Sequence, residues 1–262
     1  MTRLMATMLA LAVFSCLANT SLLGQGKQAR GASSHGSLSP TEIARRVLPS
    51  VVLISCDNGQ ETKQASGFLI GRGLVLTNFH VIKGMKRGTA RTVGGKRRKF
   101  RISHVLQVDE TSDLALLGIY DAFLIAIPSL SLDLHRDVSV GEAIYAFGNP
   151  EGLSGTMSPG IISAGLRKFK DGSSLLQITA PISSGSSGGP IVDAHAQVVG
   201  IAMGALKEGQ NLNFAVPASS VRIFLNQWYK DNDPKISLWT GLVDLPGEKI
   251  LDGEWVWLPD SQ

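Results

Sequence analysis

Short apolar runs recur through the middle of the chain, at residues 51–55, 66–70, 74–78, 102–108, 114–119, 143–147, 161–164, 175–179, 191–192, 198–202 and 213–216. β-Branched residues are frequent in them, and Gly, Pro, Asn or Asp punctuate the gaps, as strands joined by turns require. Gly71-Arg72-Gly73, between the second and third runs, predicts a hairpin. No helical pattern intervenes, so this region predicts an all-β sandwich or barrel and not a parallel α/β sheet. The regularity lapses over 121–137, where Pro128 and a Ser/Leu/Asp-rich stretch predict a connection between two β-units.

Two helices bracket the strands. Ser39-Pro40-Thr41-Glu42 has a capping serine, a proline suited to the first turn and a glutamate three residues on. That helix must end near Pro49. Over 218–229, Val221, Phe224, Leu225 and Trp228 fall on one helical face.

The ends read differently. Residues 1–18 predict a signal peptide: Arg3 supplies the positive start, and the apolar run 4–17 is too short to span a bilayer stably. Residues 19–39 are Gly/Ser/Gln-rich and predict a flexible linker. Cys56 would then be the only cysteine after cleavage, so the exported chain must rely on its core and not on a disulfide. Export to a bacterial periplasm or envelope is the expectation. Cys16, preceded by Val13-Phe14-Ser15, loosely matches a lipidation signal, which adds a lipid anchor as a variant of that expectation. The last stretch, 231–262, carries three of the four tryptophans and seven acids, and is too short for a further domain of the usual size. Trp255 and Trp257 alternate as on one buried strand face, which predicts an extension packed on the main domain, with a regulatory or partner-binding tail as the alternative.

Charge is concentrated in one place. Nine basic residues and no acid lie between Lys83 and Arg101, and without them the formal charge of +4 becomes −5. Such a run is usually a solvated loop. Its functional reading is attraction of anionic lipid headgroups or acidic substrates. Nucleic acid is disfavoured, because no aromatics interleave with the cations.

The chemistry gathers around Gly185-Ser186-Ser187-Gly188-Gly189-Pro190. A serine among glycines suits a nucleophile on a tight turn whose backbone donors converge on one spot. A hydroxyl needs a base, and the base needs a carboxylate to fix its tautomer. Of five histidines, His80 ends an apolar run and enters a short turn; His35, His104, His135 and His195 lack that setting. Asp113 opens the apolar run 114–119 and so is drawn toward the interior. Gly185-x-Ser187-x-Gly189 also fits the nucleophile elbow of α/β-hydrolases, but there a helix follows the serine and the histidine lies well downstream. Here a strand follows, and the order is His80, Asp113, Ser187.

With these stretches in view, residues 41–228 resemble the HtrA/Deg family of trypsin-like serine proteases. The similarity lies in Ser66-Gly67-Phe68-Leu69-Ile70, Leu76-Thr77-Asn78-Phe79-His80-Val81, Ser112-Asp113-Leu114-Ala115, Gly148-Asn149-Pro150-Glu151-Gly152-Leu153 and the serine loop 180–190. The resemblance implies a chymotrypsin-like double barrel of six antiparallel strands each, the first over about 50–120 and the second over about 140–217, within a protease domain spanning 40–230. It implies His80 as base and then acid, Asp113 as its anion, Ser187 as nucleophile, and the N–H groups of Gly185 and Ser187 as oxyanion hole. By analogy, Ile182, Ala205 and Leu206 line the substrate pocket, which predicts cleavage after small or medium aliphatic residues of a polypeptide. It implies no metal and no cofactor, and a homotrimer is one arrangement it allows. No PDZ domain fits in 231–262. Phe79, Thr179 and Ser186 depart from the family's usual Asn, Asp and Asn. With no aspartate at 186, activation by a newly cleaved N-terminus is not expected; ordering of the loop is. Two function classes stand: an active endopeptidase for misfolded or regulatory proteins, and a catalytically quiet module that binds unfolded chains.

Overall fold

The computed structural model describes residues 37–71, 73–119, 127–133, 135–150, 153–205 and 212–232. The expectations for 1–36, for Leu206 and for 233–262 lie outside the described residues.

Among the described residues, twelve strands close into two barrels. The first comprises β1 (Val51–Asp57), β2 (Thr62–Gly71), β3 (Leu74–Thr77), β4 (Arg87–Thr92), β5 (Lys99–Asp109) and β6 (Leu114–Ile119), in the ring order β1-β2-β3-β6-β5-β4. The second comprises β7 (Ala143–Gly148), β8 (Thr156–Lys168), β9 (Ser174–Ile178), β10 (Pro190–Asp193), β11 (Val198–Ala205) and β12 (Asn213–Pro217). Its ring order, β7-β8-β9-β12-β11-β10, repeats the first with each number raised by six. Every pairing between named strands is antiparallel. Closure removes the sheet edges that would otherwise expose unpaired backbone.

Three apolar clusters explain why the barrels hold their shape. Val52, Ile54, Leu69, Val75, Leu117 and Ile119 fill the first barrel; Ile144, Ile162, Leu176, Ile178 and Ile191 fill the second. The third cluster draws on both barrels, with Phe68, Leu76 and Leu116 against Phe147, Val192 and Val216. Ile43 and Val47 of α1 (Pro40–Val47) and Val221, Leu225 and Trp228 of α3 (Ala218–Asn232) join this cluster. The helices therefore clasp the barrels together. The capping box of α1 is formed: the N–H of Glu42 bonds Ser39 Oγ, and the carboxylate of Glu42 accepts the N–H of Ser39.

Three elements depart from the pattern reading. Arg87–Thr92 is a strand, although its cations mask the alternation: Gly88, Ala90 and Thr92 face inward while Arg87 and Arg91 do not. β8 runs from 156 to 168, far beyond 161–164, because hydrogen bonding to β7 and then β9 sustains it where apolar content is low. Residues 79–82 form one turn of helix, α2, not a simple bend.

Candidate active site

A cleft of about 510 Å³ is lined by Phe79, His80 and Asp113 of the first barrel and by Phe169, Met203 and Phe214 of the second. Phe169 and Phe214 meet edge to face, with ring centroids 5.4 Å apart. Lys83 Nζ stands 5.5 Å from the centre of the Phe79 ring and pairs with Glu110 at the rim.

His80 and Asp113 are brought together by the first barrel. β3 pairs with β6, so the segments entering α2 and leaving the turn before β6 meet at one barrel end. His80 Nδ1 lies 2.7 Å from Asp113 Oδ2, and the His80 backbone N–H donates to Oδ1 at 2.8 Å. The Asp113 carbonyl accepts Asn78 Nδ2 at 2.9 Å and the Phe79 N–H at 3.2 Å. Asp113 has φ of 52°, a left-handed conformation that costs a non-glycine residue on the order of 1–2 kcal/mol. Four hydrogen bonds to one residue hold that conformation in place. A carboxylate only accepts, so the proton rests on Nδ1 and the lone pair on Nε2 is left for the cleft. The Asp113 side chain is 10% exposed, whereas that of His80 is 47% exposed.

Ser187 sits between Gly185 (φ 92°) and Gly188 (φ 84°), both in the left-handed region that glycine enters without penalty. Its Oγ donates to the Met203 carbonyl at 2.9 Å. Met203 lies where β11 slips register against β12, between Ala202 and Gly204. Around the turn, the Ser186 N–H bonds the Ser183 carbonyl at 2.9 Å and the Gly189 N–H bonds the Ser186 carbonyl at 3.0 Å. Within a trans peptide the N–H opposes the C=O, so a Ser186 carbonyl held inside the turn directs the Ser187 N–H outward. Among the described residues, no acceptor engages the N–H of Gly185 or of Ser187.

Ile182, 9% exposed, packs into the interior cluster of the second barrel, and Ala205 ends β11. His104 bonds its neighbour Ser103 within β5, His135 approaches Arg222, and His195 faces Asp193 in the turn after β10. Thr179, in place of the usual acid, accepts the N–H of Ile161 through its hydroxyl. Among the described residues no three His, Cys, Asp or Glu side chains gather as a metal ion would need.

The sequence also matches the model of the trypsin-like peptidase domain over residues 65–201, which is more than half of the chain. The chain belongs to the trypsin-like peptidase family. Within it the domain is of HtrA/Deg type. It is similar to mitochondrial serine protease HTRA2 of Bos taurus, at 31% identity over 73% of this chain and 43% of the relative. It is also similar to serine protease PepD of Mycobacterium tuberculosis, at 31% identity over 61% of this chain and 38% of that one. The chain thus spans less than half the length of these relatives. Among solved structures, the serine endoprotease of Yersinia pestis overlays with a TM-score of 0.64 at 27% identity, covering 75% of this chain and 69% of the other. The HtrA-type protease AlgW with a tripeptide gives 0.62 at 28% identity, covering 72% and 62%. The trypsin-like peptidase fold therefore accounts for both barrels and for the cleft between them.

Sequence reasoning left three parts of this peptidase domain without a role: the Ser66 hydroxyl, the Asn149 side chain and the Met203 carbonyl. Ser66 and Asn149 stand in the motifs quoted above, yet both are completely buried. A backbone carbonyl has no sequence signature.

Proposed function

We propose that this chain is a serine endopeptidase acting on polypeptides through His80, Asp113 and Ser187. The observation that carries the reading is the double hold of Asp113 on His80, which leaves Nε2 as a base toward the cleft. Ser187 Oγ turns from the Met203 carbonyl to His80 Nε2, gives up its proton there and attacks the substrate carbonyl carbon. The N–H groups of Gly185 and Ser187 receive the developing oxyanion. His80 then protonates the leaving amine, and water cleaves the acyl-enzyme by the same route reversed. Misfolded or regulatory proteins are the substrates we propose, cleaved after small or medium aliphatic residues. Support for that preference is the apolar character of Ile182, Ala205 and Leu206. A peptide library showing preference for Arg or Lys before the scissile bond overturns it.

One observation favours the second reading, a quiet module that captures unfolded chains. A hydroxyl has one proton, and that of Ser187 goes to Met203. Labelling with a fluorophosphonate separates the two. Uptake by the wild type and none by Ser187→Ala is expected; no uptake with or without peptide favours the binding module.

We also propose export to the cell envelope, on the strength of the apolar run 4–17, and contact with anionic lipid through the β4–β5 hairpin. Ala90, Phe100 and Ile102 fill the barrel side of that hairpin, while Arg87, Lys99 and Arg101 face out. Binding to anionic vesicles should weaken with salt and disappear when 96–99 are neutralised; salt-independent binding, or none, rejects it.

A further inference from the structure

We propose that Ser66 is a positioning residue that holds the oxyanion-binding turn in its working shape, with Asn149 orienting its hydroxyl. The proposal rests on the peptidase reading of Ser187.

Ser66 grips the serine turn at two points. Its Oγ donates to the Gly185 carbonyl at 2.7 Å, and its N–H donates to the Ser187 carbonyl at 2.8 Å. Those carbonyls belong to the peptide planes on either side of the one that carries the Ser187 N–H. The plane between them is closed by the Gly189 N–H on the Ser186 carbonyl, at 3.0 Å. With the carbonyls of Gly185, Ser186 and Ser187 all held, none of these three peptides can flip without breaking a hydrogen bond. Each such loss leaves an unsatisfied buried group.

The hydroxyl of Ser66 has one proton and two lone pairs, and all are engaged. Its proton goes to Gly185, while Asn149 supplies both remaining partners, its N–H at 2.9 Å and Nδ2 at 3.1 Å. Two donors on the lone pairs leave the proton only one direction. Asn149 is fixed in turn: Nδ2 also donates to the Val52 carbonyl at 3.1 Å, and Oδ1 accepts the Gly155 N–H at 3.2 Å. Thr77 Oγ1 holds the Ser66 carbonyl at 2.7 Å. Val52, Ser66 and Thr77 lie in the first barrel; Asn149 and Gly155 bracket the loop from β7 to β8 in the second. The turn's shape is therefore set by both barrels at once.

The space around the clamp is closed. A Cβ on Gly188 would strike the Ser66 carbonyl and Thr77 Oγ1, and one on Gly148 would come within 3.1 Å of Ser66 Oγ. Ser66 is completely buried, so it acts through the turn and never on substrate.

The test uses the full chain and the variants Ser66→Ala, Thr77→Val and Ser187→Ala. Three readouts are compared: the rate of fluorophosphonate labelling, kcat against KM on a peptide substrate, and affinity for a peptide boronate against that for the matching product peptide. Ser66→Ala should lower the labelling rate and kcat by roughly 10- to 100-fold, below the loss for an oxyanion donor itself. Boronate affinity should fall in step, while KM and product affinity stay within about twofold, since ground-state contacts are untouched. A merely structural role would lower the melting temperature and leave these ratios alone. If Ser66→Ala does not fold, Thr77→Val, which removes only the hydroxyl behind the Ser66 carbonyl, should show the same split at roughly three- to tenfold. A folded variant labelled at the wild-type rate overturns the clamp and leaves the peptidase reading standing. A wild-type chain that takes no label overturns both.

Discussion

The carboxylate of Asp113 holds His80 at two atoms, the ring nitrogen Nδ1 at 2.7 Å and the backbone N–H at 2.8 Å. The backbone bond fixes where the ring begins; the ring bond fixes how it turns and which nitrogen carries the proton. Asp113→Asn keeps the size of the side chain and suits the left-handed φ, which asparagine tolerates well. Its amide, however, presents a donor to Nδ1 if Oδ1 keeps the backbone N–H. The ring must then carry its proton on Nε2, where a base is needed. We expect kcat to fall by about 10⁴ while the melting temperature moves little. Steady-state kinetics with circular dichroism on the purified variant checks this; a loss under tenfold rejects Asp113 as the orienting anion.

Gly188 and Gly59 share a positive φ, 84° and 94°, but not their surroundings. Among the described residues nothing lies within 4 Å of a Cβ on Gly59, whereas at Gly188 the Ser66 carbonyl and Thr77 hydroxyl are in the way. Gly59→Ala should cost only backbone strain, about 1 kcal/mol, with activity kept. Gly188→Ala adds a collision with backbone and should cost a further ~1–3 kcal/mol as well as most activity. Urea melts of both variants give the comparison; equal losses count against the crowding argument.

Arg136 binds three acids from three places: Asp133 at 2.9 Å, Glu142 at 2.6 Å and Asp193 at 2.9 Å. It ties the segment between the barrels to β10. Asp193 is nearly buried, with its other oxygen accepting the N–H groups of His195 and Gln197. The arginine itself is partly exposed, so solvent screens the ion pairs. Arg136→Ala should lower stability by about 1–2 kcal/mol, and Arg136→Lys should recover only part, since a point charge cannot serve three forks. Denaturant titration of the two variants measures it.

Burial pushes the Cys56 thiol up to about 12 from its ordinary value of 9.0, with the Asp57 charge beside it adding to the shift. In the folded chain the group stays protonated where the unfolded chain has lost its proton. Between those two values the folded state binds more protons, so this group's contribution to stability is intact below pH 9 and declines as pH rises through the window. In a Cys16→Ser variant, a disulfide reagent at pH 8 should react slowly with native protein and fast after denaturation. Fast reaction of the native chain contradicts the burial.

Much of the fold was legible because barrel strands are local patterns. Runs such as 51–55 and 114–119 announce themselves by β-branched content and by the turns that bound them. Arg87–Thr92 did not, because a hairpin facing solvent on one side places arginine where alternation would otherwise show. The extent of β8 was hidden for a related reason: its partners, not its own side chains, keep it extended. Ring order was invisible, since pairings such as Leu74 with Gly118 are matters of register between distant segments.

The sequence by itself determined the residue types, their order along the chain and the glycines that a left-handed turn demands, which is why His80, Asp113 and Ser187 could be named from it. Only the tertiary structure decided that Asp113 reaches His80 through both a ring and a backbone atom, that the Ser187 hydroxyl rests on Met203, and that Ser66 and Asn149 stand behind the turn. The reason is physical. Chemical identity and local backbone preference reside in each residue, but hydrogen-bond direction is fixed by groups that lie tens of residues away, and folding alone sets those distances.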